Sequence, residues 1–135
     1  MSFFSLLTVL QQIHHCCQAL DDKKAANIRV LEVALVSTAT DYLVIASGNS
    51  EPHLKTLCES VESVLKHQGI TVLGVQKTPG SGWAVVDAFD FMVHLFLDEQ
   101  RGFYDLEALW KDGKALDWQA LLTHGGSRTA LHSGT

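Results

Sequence analysis

Tyr42-Leu43-Val44-Ile45-Ala46 is apolar at every position. A strand with one solvated face alternates apolar with polar residues, so a run without alternation belongs to a strand covered on both faces. The chain therefore needs a sheet with other layers packed on it. The residues after the run supply one such layer. Ser47-Gly48-Asn49-Ser50-Glu51-Pro52 holds turn residues, an N-cap at Ser50 and a proline in the first helical turn, where its missing N–H does no harm. Leu54, Leu57, Cys58, Val61, Val64 and Leu65 then recur at helical spacing, and Gly69 ends the helix.

The remaining elements come from the same periodicities. Phe3, Leu6, Leu10, Ile13, Cys17 and Leu20 form the buried stripe of an N-terminal amphipathic helix, closed by Asp21-Asp22-Lys23-Lys24. Ile28 to Val36 is short and rich in β-branched residues, as a strand should be. Ile70 onward reads as another strand, and Lys77 to Gly82 as a glycine-rich connection. Trp83–Asp87 and Phe91–Leu97 are two strands joined by a tight turn at Ala88-Phe89-Asp90, which predicts an antiparallel hairpin. A short helix carrying Phe103, Leu106 and Trp110 on one stripe comes next. The expected fold is α/β (α+β), a single mixed β-sheet flanked by helices. The domain runs over residues 1–116. Residues 117–135, polar and rich in Gly and Ser from Thr123, are expected to form a flexible tail.

With 135 residues, the chain has room for one domain with a sizeable core. A net charge of -5 argues against a protein whose task is neutralising phosphates over a broad surface, so little direct nucleic-acid contact is expected. Three cysteines, two of them adjacent, make no disulfide framework and suit a reducing cytoplasm. The apolar N-terminus has no basic flank, and polar residues interrupt it, so neither a signal peptide nor a membrane span is expected.

Few residues suggest catalysis. His14-His15-Cys16-Cys17 collects metal-ligand types, but in a helix only His14 and Cys17 share a face, and that face is the apolar stripe. No second ligand pair stands at a suitable spacing, so no metal site is assigned. Asp87 and Asp90 flank the hairpin turn, where Asp90 is expected to bond local backbone and Asp87 to need a partner. The Pro-Gly-Ser-Gly stretch lacks the Lys-Ser/Thr of a phosphate cradle. Alternation sets His94 on the face of Met92 and Phe96, as a hydrogen-bonded core residue rather than a catalyst. Trp83 is either a core lid or an interface anchor. In Arg101-Gly102-Phe103-Tyr104-Asp105-Leu106-Glu107-Ala108-Leu109-Trp110 the stripe accounts for Phe103, Leu106 and Trp110. Glu107 lies one helical turn from Lys111, while Arg101, Tyr104 and Asp105 remain to mark a surface.

Four stretches in order carry a resemblance: the run from Ala19 to Val33, the run from Thr38 to His53, Gly82 to Phe96, and the decapeptide from Arg101. Together they resemble the ribosomal silencing factor (Iojap-like) family. The resemblance implies a sheet like that of nucleotidyltransferases without their catalytic apparatus, hence no enzyme, no catalytic residue and no cofactor. It implies binding to the large ribosomal subunit through the ribosomal protein called L-fourteen, exclusion of the small subunit, repression of translation, and a homodimer off the ribosome. Carried over as motif residues with structural roles are Asp41, Ser47, Gly48, Asp87, Leu106, Glu107 and Trp110. Partner contact falls to Trp83, His94, Arg101, Tyr104 and Asp105. Two departures are local: members often carry Arg before the histidine at the helix start, where this chain has Glu51-Pro52-His53, and an acidic-Gly pair before the loop, where it has Gln76-Lys77. The competing expectations are a nucleotidyltransferase-like enzyme and a dimeric assembly module of unknown partner. Against the enzyme, no Gly-Ser is followed by two acids two residues apart, the spacing that would hold a metal on one strand face.

Overall fold

A computed structural model describes residues 8–34, 40–78, 80–99 and 113–121. Helix α1 spans Val9–Asp22, strand β1 Ala26–Glu32, β2 Tyr42–Gly48, helix α2 Glu51–His67, β3 Gly74–Lys77, β4 Trp83–Asp87, β5 Phe91–Leu97 and β6 Lys114–Leu116. A 3-10 turn succeeds it at Trp118–Ala120. The strands form one six-stranded sheet in the order β3-β4-β5-β2-β1-β6. The central pair β2 and β5 is parallel and every other pairing is antiparallel, so the sheet is mixed.

Helices α1 and α2 each carry their own N-cap. Thr8 and Gln11 form a reciprocal capping box at the start of α1. Ser50 Oγ accepts the His53 N–H at the start of α2, with Pro52 in the first turn. At its far end Gly69, at φ 72°, lets the Ile70 N–H turn back onto the Leu65 carbonyl. The buried stripe of α1 (Ile13, Cys16, Cys17, Leu20) and that of α2 (Leu54, Leu57, Cys58, Val61, Leu65) share one core with Val44, Ala46, Val86, Phe91, Val93 and Leu95. The other face of the sheet carries a second cluster of Leu31, Val33, Leu43, Ile45 and Phe96, joined by Trp83 and Met92. Strand β2 thus buries side chains on both faces, as its unbroken apolar run requires.

Several boundaries differ from the sequence reading. Strand β1 begins and ends earlier, at Ala26 and Glu32, and a bulge lies between Ala26 and Arg29, with Asn27 at φ 51°. Residues 70–73 do not pair as a strand, which starts only at Gly74. Ile70 and Val72 instead pack on the helix-side core, and Leu73 is left exposed. At the end of the expected domain β6 pairs with β1, and the first residues expected to be a tail are packed: Trp118–Ala120 form a 3-10 turn held to α1, and Leu121 is buried. The helix expected around Phe103, Leu106 and Trp110 lies outside the described residues. So do Arg101, Tyr104, Asp105 and Glu107.

Candidate functional site

The hairpin β4–β5 sets Trp83 directly across from Phe96, and Val85 across from His94. The three rings of Trp83, His94 and Phe96 therefore line up on one sheet face. Trp83 stacks on Phe96 at 5.6 Å between centroids and 17° between planes, and on His94 at 6.0 Å and 23°. The indole Nε1–H donates to His94 Nδ1 at 3.3 Å. That bond fixes the tautomer, with the proton on Nε2. Burial pushes the His94 imidazole down to about 4, so the ring is neutral at physiological pH. Sequence reasoning placed Trp83 and His94 as separate candidates; the structure makes them one unit.

The turn closing this hairpin is built around Asp87. Its Oδ1 accepts the Phe89 N–H at 2.9 Å, so Asp87, rather than Asp90, is the acid whose side chain holds the turn. Asp90 contributes through its backbone: its carbonyl accepts the N–H groups of Asp41 and Tyr42. Thr40 Oγ1 donates to the Phe89 carbonyl at 3.3 Å. Asp41, itself exposed, uses its own carbonyl to accept the Val33 N–H. The Thr-Asp motif thus ties the entrance of β2 to the hairpin turn. At the other end of β2, Ser47 and Gly48 are buried. A Cβ on Gly48 would come within 3.2 Å of His53 Nδ1 and 3.3 Å of Leu54 Cδ2, so glycine lets α2 sit directly on the strand end.

The start of α2 is pinned from two sides. His53 Nδ1 accepts the Asn49 N–H at 3.0 Å, leaving its Nε2–H to donate to the Lys23 carbonyl at 2.7 Å. Glu51 Oε2 accepts the Gly82 N–H at 3.1 Å across the gap to the β3–β4 connection. A cleft of about 570 Å³ opens there, lined by Glu51, Pro52, Leu54, Lys55, Lys77 and Trp83 among others. No signal in the sequence marks the Glu51–Gly82 and His53–Lys23 contacts, because each joins residues about thirty positions apart.

The metal-type residues of α1 are occupied otherwise. Cys16 and Cys17 are buried, and burial pushes the Cys16 thiol up to about 12, which leaves it inert. His14 Nδ1 lies 2.9 Å from the Trp118 carbonyl and holds the 3-10 turn to α1. Among the described residues no group of three His, Cys, Asp or Glu side chains is placed to hold a metal ion. No helix among them is long and apolar enough to cross a membrane.

Known proteins resemble this chain in sequence and in fold. A ribosomal silencing factor of Halalkalibacterium halodurans is 30% identical over 105 residues, covering 78% of this chain and 90% of that protein. A crystal structure of a Chromobacterium violaceum protein, 32% identical, superposes with a TM-score of 0.73 over 77% of this chain and 88% of its own. A mouse protein named for mitochondrial assembly of the ribosomal large subunit is 32% identical over 94 residues, 67% of this chain and 41% of that one. Residues 7–132 match the family described as ribosomal silencing factor during starvation. With the mixed sheet, the hairpin and the Thr-Asp motif in place, and relatives aligned over most of its length, this chain belongs to the ribosomal silencing factor family.

Proposed function

We propose that this protein represses translation without catalysis, by occupying the face of the large ribosomal subunit that the small subunit must reach. Its docking partner is the ribosomal protein L-fourteen, and its setting is the cytoplasm. Trp83, His94, Arg101, Tyr104 and Asp105 form the contact surface. The observation that carries this reading is the match to the silencing-factor family over residues 7–132. The Trp83–His94 pair supports it: a neutral imidazole holds the indole in one orientation, and a preset aromatic loses little entropy on docking. A compact contact with a ribosomal protein also suits a net charge of -5, which would be repelled from open RNA. A nucleotidyltransferase would need a second acid two residues from Asp87, on the same strand face, and Val85 and Phe89 stand at those positions.

Off the ribosome the protein pairs with a second copy. Leu73 and Phe89, both exposed large apolar side chains, lie against the same residue, since Asp87 accepts the Leu73 N–H through its carbonyl and the Phe89 N–H through its carboxylate.

Sucrose-gradient sedimentation of the full chain with isolated large subunits, followed by addition of small subunits, tests the mechanism. The protein should travel with the large subunit and reduce formation of joined ribosomes. Tyr104→Ala should weaken binding by about 1–3 kcal/mol and restore joining while thermal unfolding stays near the parent's. Protein that remains at the top of the gradient, or that binds without slowing joining, would overturn the proposal.

A further inference from the structure

The β3–β4 connection reaches Trp83 through Gly82, which is buried at φ 74°. Both polar backbone groups of Gly82 are bonded. Its carbonyl accepts the Leu97 N–H at 3.0 Å, and its N–H donates to Glu51 Oε2 at 3.1 Å. The Glu51 bond crosses from this connection to α2, whereas Ser81 bonds locally, within the connection and to the first residue of β4. Ser81 N–H donates to the Thr78 carbonyl, and Ser81 Oγ both donates to the Trp83 carbonyl and accepts the Trp83 N–H.

The helix end that carries Glu51 is a rigid mount. Ser50 caps it, Pro52 fixes its first turn, His53 ties it to the end of α1, and Gly48 lets it lie close on β2. A carboxylate in the first turn is also favoured by the helix dipole, and a charged acceptor makes the stronger hydrogen bond. A glycine-rich connection is thereby fastened, one residue before Trp83, to a well-anchored helix end.

We propose that Glu51 is a positioning residue for the partner-binding surface. Its carboxylate latches Gly82 to α2 and so fixes the segment that leads into Trp83. The role in binding rests on Trp83 being a partner contact; the latch itself does not. Glu51 touches no partner and acts through the Gly82 N–H.

Two measurements on the full chain decide it, each made on Glu51→Ala and Glu51→Gln. The first is exchange of the Gly82 amide hydrogen in the free protein, followed by NMR beside the Trp83 indole N–H signal. Glu51→Ala should speed exchange at Gly82 by about fivefold, the cost of one ordinary hydrogen bond, since solvent screens the charge of the exposed Glu51, and should shift the indole signal. Glu51→Gln keeps an oxygen acceptor and should restore most of the protection. The second is affinity for isolated large subunits, which should fall by about fivefold in Glu51→Ala and recover in Glu51→Gln. Unchanged exchange at Gly82, or a Gln variant that behaves like Ala, overturns the latch. Faster exchange with undiminished affinity overturns the positioning role. If the parent chain does not bind large subunits at all, Trp83 is no contact and the positioning role falls with it, while Gly82 exchange still decides the latch.

Discussion

His94 couples the aromatic row to proton concentration. Burial lowers its folded-state pKa to about 4, whereas an unfolded chain titrates near the ordinary value of 6.5. Between those two values the unfolded state binds the extra proton, so stability rises with pH there and is lost as pH falls from about 6.5 toward about 4. At 1.36 kcal/mol per unit, the contribution lost by pH 5 is about 2 kcal/mol. His94→Phe should remove that slope. Urea unfolding at pH 7 and pH 5 should show the parent losing about 2 kcal/mol more than the variant over the interval. Equal losses in both proteins would place the proton-sensitive group elsewhere. Histidine in an apolar strand was legible in the sequence as a hydrogen-bonded residue. Its donor was not, because pairing Val85 with His94 and Trp83 with Phe96 requires a hairpin register that no single strand specifies. The Asp87 role shows the same limit: both turn acids were visible, but which one capped the turn depended on Phe89 adopting φ 72°.

At the scale of elements, α2 was the most legible because cap, proline, stripe and terminating glycine all agree along one stretch of chain. β3 was misplaced because apolar character does not say what it packs against. Ile70 and Val72 satisfy the helix-side core without joining the sheet, and pairing begins only where the chain meets β4 at Gly74. β6 and the 3-10 turn went unseen for a different reason. Lys114–Leu116 is too short to show alternation, and its place beside β1 comes entirely from a long-range contact. Yet this segment is structural. His14 bonds the Trp118 carbonyl, the two rings lie 5.6 Å apart, and Leu121 is buried in the core shared by α1 and α2. Leu121→Ala should therefore destabilise the protein by about 2–4 kcal/mol, by losing buried apolar surface and leaving a cavity. Thermal unfolding checks it: a change below about 0.5 kcal/mol, the size expected of an exposed site, would return residues 117–121 to the status of a tail.

Across the whole molecule, sequence periodicity foretold a mixed sheet with helices, but not that the sheet would end at β3 with apolar side chains left in solvent. Leu73 is 58% exposed and Phe89 is 65% exposed. Phe89 also sits at φ 72°, where a bulky residue costs about 1–2 kcal/mol relative to glycine. An aromatic that gains little from burial and strains the backbone weakens the folded monomer, and the dimer proposed above would give it a contact. Two copies meeting through this end of the sheet would supply it, and the pairing predicts effects of opposite sign. Phe89→Gly relieves the strained backbone and should raise monomer stability by about 1 kcal/mol. Combined with Leu73→Ser, it should weaken self-association by at least about tenfold, since both apolar anchors are gone. Sedimentation equilibrium at tens of micromolar beside urea unfolding measures both quantities. A parent that stays monomeric at that concentration, or a double variant that associates as tightly as the parent, would mean that the strain at Phe89 serves something other than a dimer.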